Sequence, residues 1–337
     1  MNISKKINFA IVGCGMIANA HASSLLDIYN ANLIGAWDLD DSKAQDFCKK
    51  YSISKYNSFE EILNDEKIDA VCICTPSYCH YEQTKKALTS GKNVVVEKPM
   101  ALFASEAKNL CDLAKDNNKQ LSVISQTRFA NDVIYLKKLI ESNKFGKLSF
   151  CDQYMKYYRD ASYYSDSLWR GKIKYDGGGA LMNQGIHGVD LLHYLLGEAH
   201  LIAGKTKTTL HDIETEDCAT AILEYSCGAI GVIEASTAVY PGFRRRIEIN
   251  GEKGYAVLCD TTLEKLYLNG KMIISKELEP HPKTAQSPAI ATNDLHKLQI
   301  KNFIAAICGE EKLISSAYDG YYAVNLIESI YNSSKNI

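Results

Sequence analysis

Long apolar runs are missing from this chain. No stretch of 18 or more apolar residues occurs in it, so a transmembrane helix is not expected. An excess of charge of one sign is missing too. With 38 basic residues against 40 acidic ones the formal net charge is -2, which leaves no overall field to attract nucleic acid or an anionic membrane surface. The opening segment, with Lys5 and Lys6 ahead of a short apolar run, lacks the small-residue cleavage site of a secretion signal and leads straight into a glycine-rich turn. A cytoplasmic protein is therefore expected. Internal repeats, low-complexity tracts and long flexible linkers are absent as well, which argues against a solenoid or a disordered chain.

Cysteine is not scarce. The count of eleven is odd, and several fall in apolar strand-like segments such as Val71-Cys72-Ile73-Cys74, so reduced thiols are expected rather than a disulfide framework. Cys72, Cys74 and Cys79 lack the C-x-x-C knuckle of a zinc site, and no metal is expected there. The one dense basic run, Arg244-Arg245-Arg246, is followed by the alternating Ile247-Glu248-Ile249. It reads as the start of a strand with a solvated or substrate-facing end rather than as a phosphate site.

A length of 337 residues, 46% hydrophobic and 23% charged, suits two globular domains. In the first part, apolar runs at 7–12, 32–37, 70–74, 93–96 and 121–125 alternate with helical patterns near 17–27, 42–51, 59–63, 81–90 and 104–117. That alternation predicts βαβ units and a doubly wound parallel sheet over 1–126. After Arg128 come a helix near 132–142 and a tyrosine-rich segment from Tyr154 to Tyr175. Strand patterns follow at 201–209, 217–225, 229–235, 245–250, 255–259 and 265–268. With turn signals at Asn250-Gly251 and Asn269-Gly270, they predict an α/β domain with a mostly antiparallel sheet over 127–337. Helices near 294–308 and 317–333 follow a polar linker around 280–291.

The first strand candidate runs into Gly13-Cys14-Gly15-Met16-Ile17-Ala18. Gly13 permits a tight turn, Gly15 lets backbone approach a pyrophosphate, Met16 and Ile17 open the helix whose N–H groups would meet the phosphates, and Ala18 allows close helix–strand packing. Asp38 ends the second strand candidate, somewhat beyond the usual spacing of about 20 residues, where it would bind the ribose hydroxyls. The following Leu39, Asp40 and Asp41 offer no cation to a 2′-phosphate, so NAD is expected over NADP. Thr75-Pro76-Ser77 and Glu97-Lys98-Pro99 end two later strands at the carboxyl edge, where ligands of open α/β sheets bind.

These residues, with His80 and the run Gly177-Gly178-Gly179-Ala180-Leu181-Met182-Asn183-Gln184-Gly185-Ile186-His187-Gly188-Val189-Asp190, carry a resemblance over most of the chain. It resembles the Gfo/Idh/MocA family of glucose-fructose oxidoreductase, inositol dehydrogenase and rhizopine catabolism proteins. The resemblance implies a Rossmann domain followed by an α/β domain on a large open sheet, whose exposed face makes subunit contacts, hence a homodimer or homotetramer. It implies an NAD(P)-dependent oxidoreductase acting on a sugar, cyclitol or nucleotide sugar. It also implies that Thr75, Pro76, Ser77, His80, Glu97 and Lys98 lie along the cofactor, and that Lys98 and His187 line the substrate pocket. Many members have aspartate four residues before that histidine; this sequence has Asn183, an amide that orients a hydroxyl without carrying its proton.

Imidazole, with an ordinary pKa near 6.5, suits removal of a hydroxyl proton near neutrality, and an ammonium stabilises charge developing on the oxygen. His187 is therefore read as the acid/base and Lys98 as the polarising group, converging over the redox ring. Trp169 and Arg170 suit a hydroxyl-rich or phosphorylated ligand, with Tyr157 and Arg128 as further substrate candidates and His296 at the pocket rim. His193, His200, His211 and His281 have no such context and read as structural or exposed. Two rival readings use the same pocket: a non-catalytic NAD(P)-binding regulatory protein, and a glycoside hydrolase that retains its cofactor and oxidises one carbon transiently.

Overall fold

The computed structural model describes residues 6–279 and 293–335; the linker expected around 280–291 and His281 lie outside the described residues. The chain divides into two compact units, the first holding residues up to 126 and again 290–321, the second 127–289 and 322 onward. A single division at 126/127 does not describe this return of the chain to its first unit.

In the first unit strands and helices alternate: β1 (Ile7–Val12), α1 (Met16–Leu26), β2 (Ala31–Trp37), α2 (Asp41–Tyr51), β3 (Ser54–Lys55), α3 (Phe59–Asn64), β4 (Ala70–Ile73), α4 (Ser77–Thr89), β5 (Asn93–Val96), α5 (Ala104–Asp116) and β6 (Leu121–Val123). The sheet is parallel, in the order β3-β2-β1-β4-β5-β6. Every residue of β4 is buried, as are the last three of β5, which a sheet covered on both faces requires and which reads in sequence as a continuous apolar run. Side-chain caps set two of the helix starts. Asp40 accepts from the backbone N–H groups of Ser42 and Lys43 to begin α2, and Ser58 accepts from Glu61 to begin α3. Strand order reverses between β1 and β4, so the crevice at their carboxyl ends is the expected ligand position.

The second unit contains α6 (Asn131–Glu141), β7 (Leu148–Lys156), α7 (Ala161–Ser165), α8 (Ile173–Asp176), α9 (Ile186–Leu196), β8 (Ala199–Lys207), β9 (Cys218–Tyr225), β10 (Ile230–Ser236), β11 (Arg246–Gly251), β12 (Gly254–Cys259), β13 (Thr262–Leu268) and β14 (Lys271–Ser275). Its sheet has eight strands in the order β14-β13-β12-β11-β7-β10-β9-β8. All pairs are antiparallel except β7 with β10. β9 shows the pattern of a sheet covered on one face: Ala219, Ala221, Leu223 and Tyr225 are buried, while Thr220, Ile222 and Glu224 are exposed.

β7 lies inside this sheet, yet its sequence carries no clean alternation. Asp152 and Gln153 are both buried, and Asp152 is tolerated because it accepts from the Val232 N–H at 2.8 Å. The turn expected at Asn250-Gly251 falls two residues later, at Glu252-Lys253, since Gly251 still pairs with Gly254. Asn269 and Gly270 do form a tight turn, both with positive φ, at 49° and 79°.

Helix α10 (Asp294–Ile307) belongs to the first unit. Its Ile300, Phe303 and Ile304 join the core formed by β1, α1 and β2, with the Phe303 ring 6.2 Å from that of Phe9. The division between units falls within the last helix, α11 (Ala317–Lys335).

Candidate active site

The glycine turn between β1 and α1 is shaped for close approach. Gly13 has φ +91°, and a Cβ there would lie 2.8 Å from Thr75 Cγ2 and 2.9 Å from the Cys74 carbonyl carbon. At Gly15 a Cβ would meet nothing within 4 Å. Gly15 is also the N-cap of α1 and supplies no side-chain cap. The first-turn N–H groups of the helix are thus left uncapped beside open space, which fits a diphosphate. Met16 is exposed and Ile17 half-buried on that turn.

Asp38, at the end of β2, faces the same turn. Its Oδ2 accepts from the Cys14 N–H at 2.7 Å and its Oδ1 from the Asp40 N–H at 2.8 Å. Leu39 beyond it is exposed and Asp40 is committed to capping α2.

At the next two strand ends, Thr75 donates from its hydroxyl to Gln83 at 2.6 Å. Ser77 is buried at the start of α4, which Pro76 precedes as N-cap. Lys98 is half-buried between buried Glu97 and buried Pro99. His80, expected along the cofactor, is instead 1% exposed, with Nδ1 2.7 Å from the Pro99 carbonyl and Nε2 2.8 Å from that of Thr75. It ties the two loops together from behind. Burial pushes its pKa below the ordinary value, against the pull of those carbonyls.

Glu97 also turns inward. Its Oε1 lies 2.9 Å from Nε2 of His21 on α1. Burial acts to raise the Glu97 carboxyl, but the His21 hydrogen bond and charge outweigh it and hold its pKa at about 2. Burial acts to lower His21, and the Cys74 and Cys72 thiols with Glu97 outweigh that, holding it above its ordinary value. His296, expected at a pocket rim, is buried in the same cluster, 5.8 Å from His21 between ring centroids; burial pushes it down to about 4. His21 carried no sequence signal, because its partners lie far away in the chain.

In the second unit the glycine run feeds a π-helical turn, Ala180–Gly185, that continues as α9. Such turns are frequent at functional sites. Glu216 anchors it, accepting from the Gly179 and Leu181 N–H groups at 2.8 Å each and from the Tyr331 hydroxyl at 2.9 Å. A Cβ at Gly179 would overlap the Glu216 carbonyl oxygen, so no other residue fits. His187 is half-buried in the first turn of α9.

Asn183 is held on both sides: its Nδ2 donates to Asp176 Oδ1 at 2.7 Å, and its Oδ1 accepts from Gln184 Nε2 at 2.9 Å. Asp176 Oδ2 accepts from the Gly171 N–H at 3.0 Å, which ties the Trp169-Arg170-Gly171 segment to the π-helical turn. Gln184 in turn accepts from buried Arg159 at 3.0 Å. The Arg170 guanidinium lies 4.3 Å over the Tyr163 ring and 5.6 Å from that of Trp169. Tyr157 is half-buried with Arg159 stacked at 5.4 Å, and burial pushes its hydroxyl pKa up. Asp176, Gln184 and Arg159 had no signal in the sequence beyond proximity to the glycine run.

Arg128 stands apart from this network. It forms a buried forked pair with Asp190 of α9, Nε to Oδ2 at 2.9 Å and Nη2 to Oδ1 at 2.7 Å, so it braces the helix rather than presenting itself to a ligand. His211 is structural as expected, bridging Asp217 and the Arg159 carbonyl. No helix among the described residues is long and apolar enough to cross a membrane.

Comparison with known proteins follows the same division. Residues 7–125 match the oxidoreductase family described by its NAD-binding Rossmann fold, and residues 133–257 match the GFO/IDH/MocA C-terminal domain. The chain is 26% identical to D-glucoside 3-dehydrogenase of Escherichia coli over 98% of its own length and 96% of the relative's. It is 28% identical to scyllo-inositol 2-dehydrogenase (NADP(+)) IolW of Bacillus subtilis over 73% and 67%. Among solved structures, the WlbA dehydrogenase of Bordetella pertussis in complex with NADH and UDP-GlcNAcA superposes with a TM-score of 0.86 at 28% identity, covering 98% of this chain and 97% of that one. The protein belongs to the Gfo/Idh/MocA family and is an NAD(P)-dependent oxidoreductase.

Proposed function

We propose that this protein uses NAD to oxidise, or NADH to regenerate, a hydroxyl-bearing carbon of a sugar, cyclitol or nucleotide sugar. The observation that carries the reading is the setting of Asp38. Its carboxylate is lodged against the glycine turn through the Cys14 N–H and is followed by Leu39, Asp40 and Asp41, with Asp40 spent on its helix. A ribose diol finds an acceptor there, whereas a 2′-phosphate would meet the Asp38 carboxylate, with the nearby Lys43 and Lys55 already paired to Asp40 and Asp41. The relatives' named substrates, a glucoside, an inositol and a nucleotide sugar, support the substrate class.

When bound, the nicotinamide supplies the hydride acceptor or donor. Lys98, fixed at the end of β5 by its buried neighbours, holds an ammonium toward the reacting oxygen and stabilises charge that develops on it. His187 takes the hydroxyl proton in oxidation and returns it in reduction. Asn183, pinned by Asp176 and Gln184, orients a substrate hydroxyl and moves no proton. Trp169 and Arg170 contribute a flat face and a forked donor to the sugar. The open face of the second unit's sheet, with exposed Phe150, Ile222 and Ile230, supports a homodimer or homotetramer, and the lack of a membrane-crossing helix among the described residues is compatible with the cytoplasm.

Screening cyclitols, aldoses and nucleotide sugars for reduced-nicotinamide absorbance, with NAD and NADP in parallel, tests this. The expected result is net reduction of NAD by at least one free sugar or cyclitol, with NADP the poorer partner. Release of an aglycone without net reduction, or cofactor binding without turnover on any of these classes, contradicts it.

A further inference from the structure

The core of the first unit holds a cluster of donors that hydride transfer does not need. His21 on α1, Glu97 after β5 and His296 in the first turn of α10 each offer one ligand atom, and these atoms lie within 4.8 Å of one another. All three residues are buried, with 0%, 7% and 4% exposure. One contact in the cluster is satisfied: Nε2 of His21 lies 2.9 Å from Oε1 of Glu97. Another atom is not: Nε2 of His296 is buried with no hydrogen-bond partner. Such an atom costs about 1–3 kcal/mol, and it calls for an explanation.

Two imidazoles and one carboxylate are a recurrent zinc donor set, with a fourth position left for water or another ligand. A divalent cation would neutralise the buried Glu97 carboxylate, and it would also use the lone pair of His296 Nε2, which has no partner. The cysteine pattern does not supply such a site alone, but it lines this one: the Cys72 and Cys74 thiols of the neighbouring strand lie beside His21. The three ligands come from α1, the end of β5 and α10, so an ion would fasten the returning helix to the sheet.

We propose that His21, Glu97 and His296 form a buried binding site for zinc or a similar borderline divalent ion, with Nε2 of each imidazole and a Glu97 oxygen as ligands. On binding, the Nε2 proton shared between His21 and Glu97 leaves to solvent, and both groups turn from hydrogen-bond partners into ligands. The ion is structural. It belongs to the first unit's core and takes no part in hydride transfer.

Because the cluster is closed to solvent, the ion has to enter as the chain folds. The test is therefore expression of the full chain in zinc-supplemented and zinc-depleted medium, followed by metal analysis of the purified protein and X-ray absorption at the zinc edge. The expected result is about one zinc per chain from supplemented medium, a shell of nitrogen and oxygen neighbours with two imidazoles, and a higher Tm than the depleted protein. His296→Gln should lower the zinc content at least about tenfold while keeping the far-ultraviolet circular dichroism of the zinc-depleted wild type. Metal content near background in the wild type from supplemented medium overturns the proposal even if the variant does not fold. A sulfur-dominated shell overturns it too, since it would place the ion on cysteine thiols rather than on these three side chains.

Discussion

Lys98 and His187 have different duties in the proposed chemistry, so their loss should leave different traces. Replacing His187 with alanine removes the group that carries the proton, and kcat is expected to fall about 10²–10⁴-fold. The acid limb set by that base should vanish, so the loss is largest on the alkaline side, where the wild-type imidazole is free to take the proton. Lys98→Met keeps the aliphatic stem and removes the charge, so kcat should fall by about 10²–10³-fold with a flatter change in pH profile. Steady-state kinetics on any substrate found by the screen measures both, and a variant with undiminished turnover contradicts the role given to that residue. Gly13 makes a sharper structural test. Its φ of +91° and the 2.8 Å approach of Thr75 to a Cβ mean that Gly13→Ala carries backbone strain of about 1–2 kcal/mol and must also push the Thr75 loop aside. A lower Tm and weaker NAD binding are expected together, and an alanine variant matching wild type in both would show the turn to be less tightly drawn.

At the scale of elements, α9 is positioned by groups that make no contact with a substrate in this account. The buried pair of Arg128 and Asp190 is one. Arg128→Ala leaves Asp190 buried without its forked donor and should cost about 3–5 kcal/mol, measured as a fall in the urea midpoint. A loss well under 1 kcal/mol would mean that the helix is held by its apolar face alone. Asp217 holds a different element, the segment that follows β8. It accepts from the backbone N–H groups of Thr209, Leu210 and His211. Burial acts to raise its carboxyl, yet those bonds outweigh it and hold the pKa at about 2. A folded value below the ordinary carboxylate range adds stability that is complete above about pH 5 and is lost as pH falls from about 4 toward 2, about 2 kcal/mol in all. Asp217→Asn should therefore be less stable than wild type by that amount at neutral pH, with the gap closing near pH 2. A gap independent of pH contradicts the assignment.

These elements also show where sequence reading succeeds and stops. β4 and β5 were legible because a sheet buried on both faces forces an unbroken apolar run. The turn at Asn269-Gly270 was legible because few residues adopt its positive φ values. β7 was missed because Asp152 and Gln153 are buried within it and erase the alternation. The glycine turn and Glu97-Lys98-Pro99 could be read locally, since each is one strand end. Arg128, His80 and His296 could not, because what decides their roles is a partner remote in sequence: Asp190 for the first, the Pro99 carbonyl for the second, Glu97 and His21 for the third.

Across the whole molecule, the proposed chemistry draws on an uncapped helix start and an acidic acceptor in the first unit and on a glycine-led helix bearing an imidazole in the second. Family membership rests on both units, since each matches its own part of the family, and cofactor class rests on the first. The chemical claim that unites them is direct transfer of hydrogen from a sugar or cyclitol carbon to the nicotinamide. Its most direct measurement uses a substrate from the screen carrying deuterium on the carbon to be oxidised, with the reduced cofactor examined by mass spectrometry. The account predicts that the label appears on the nicotinamide ring, at one deuterium for each cofactor reduced. Label found in solvent or retained on the sugar, with the cofactor unlabelled, would contradict it.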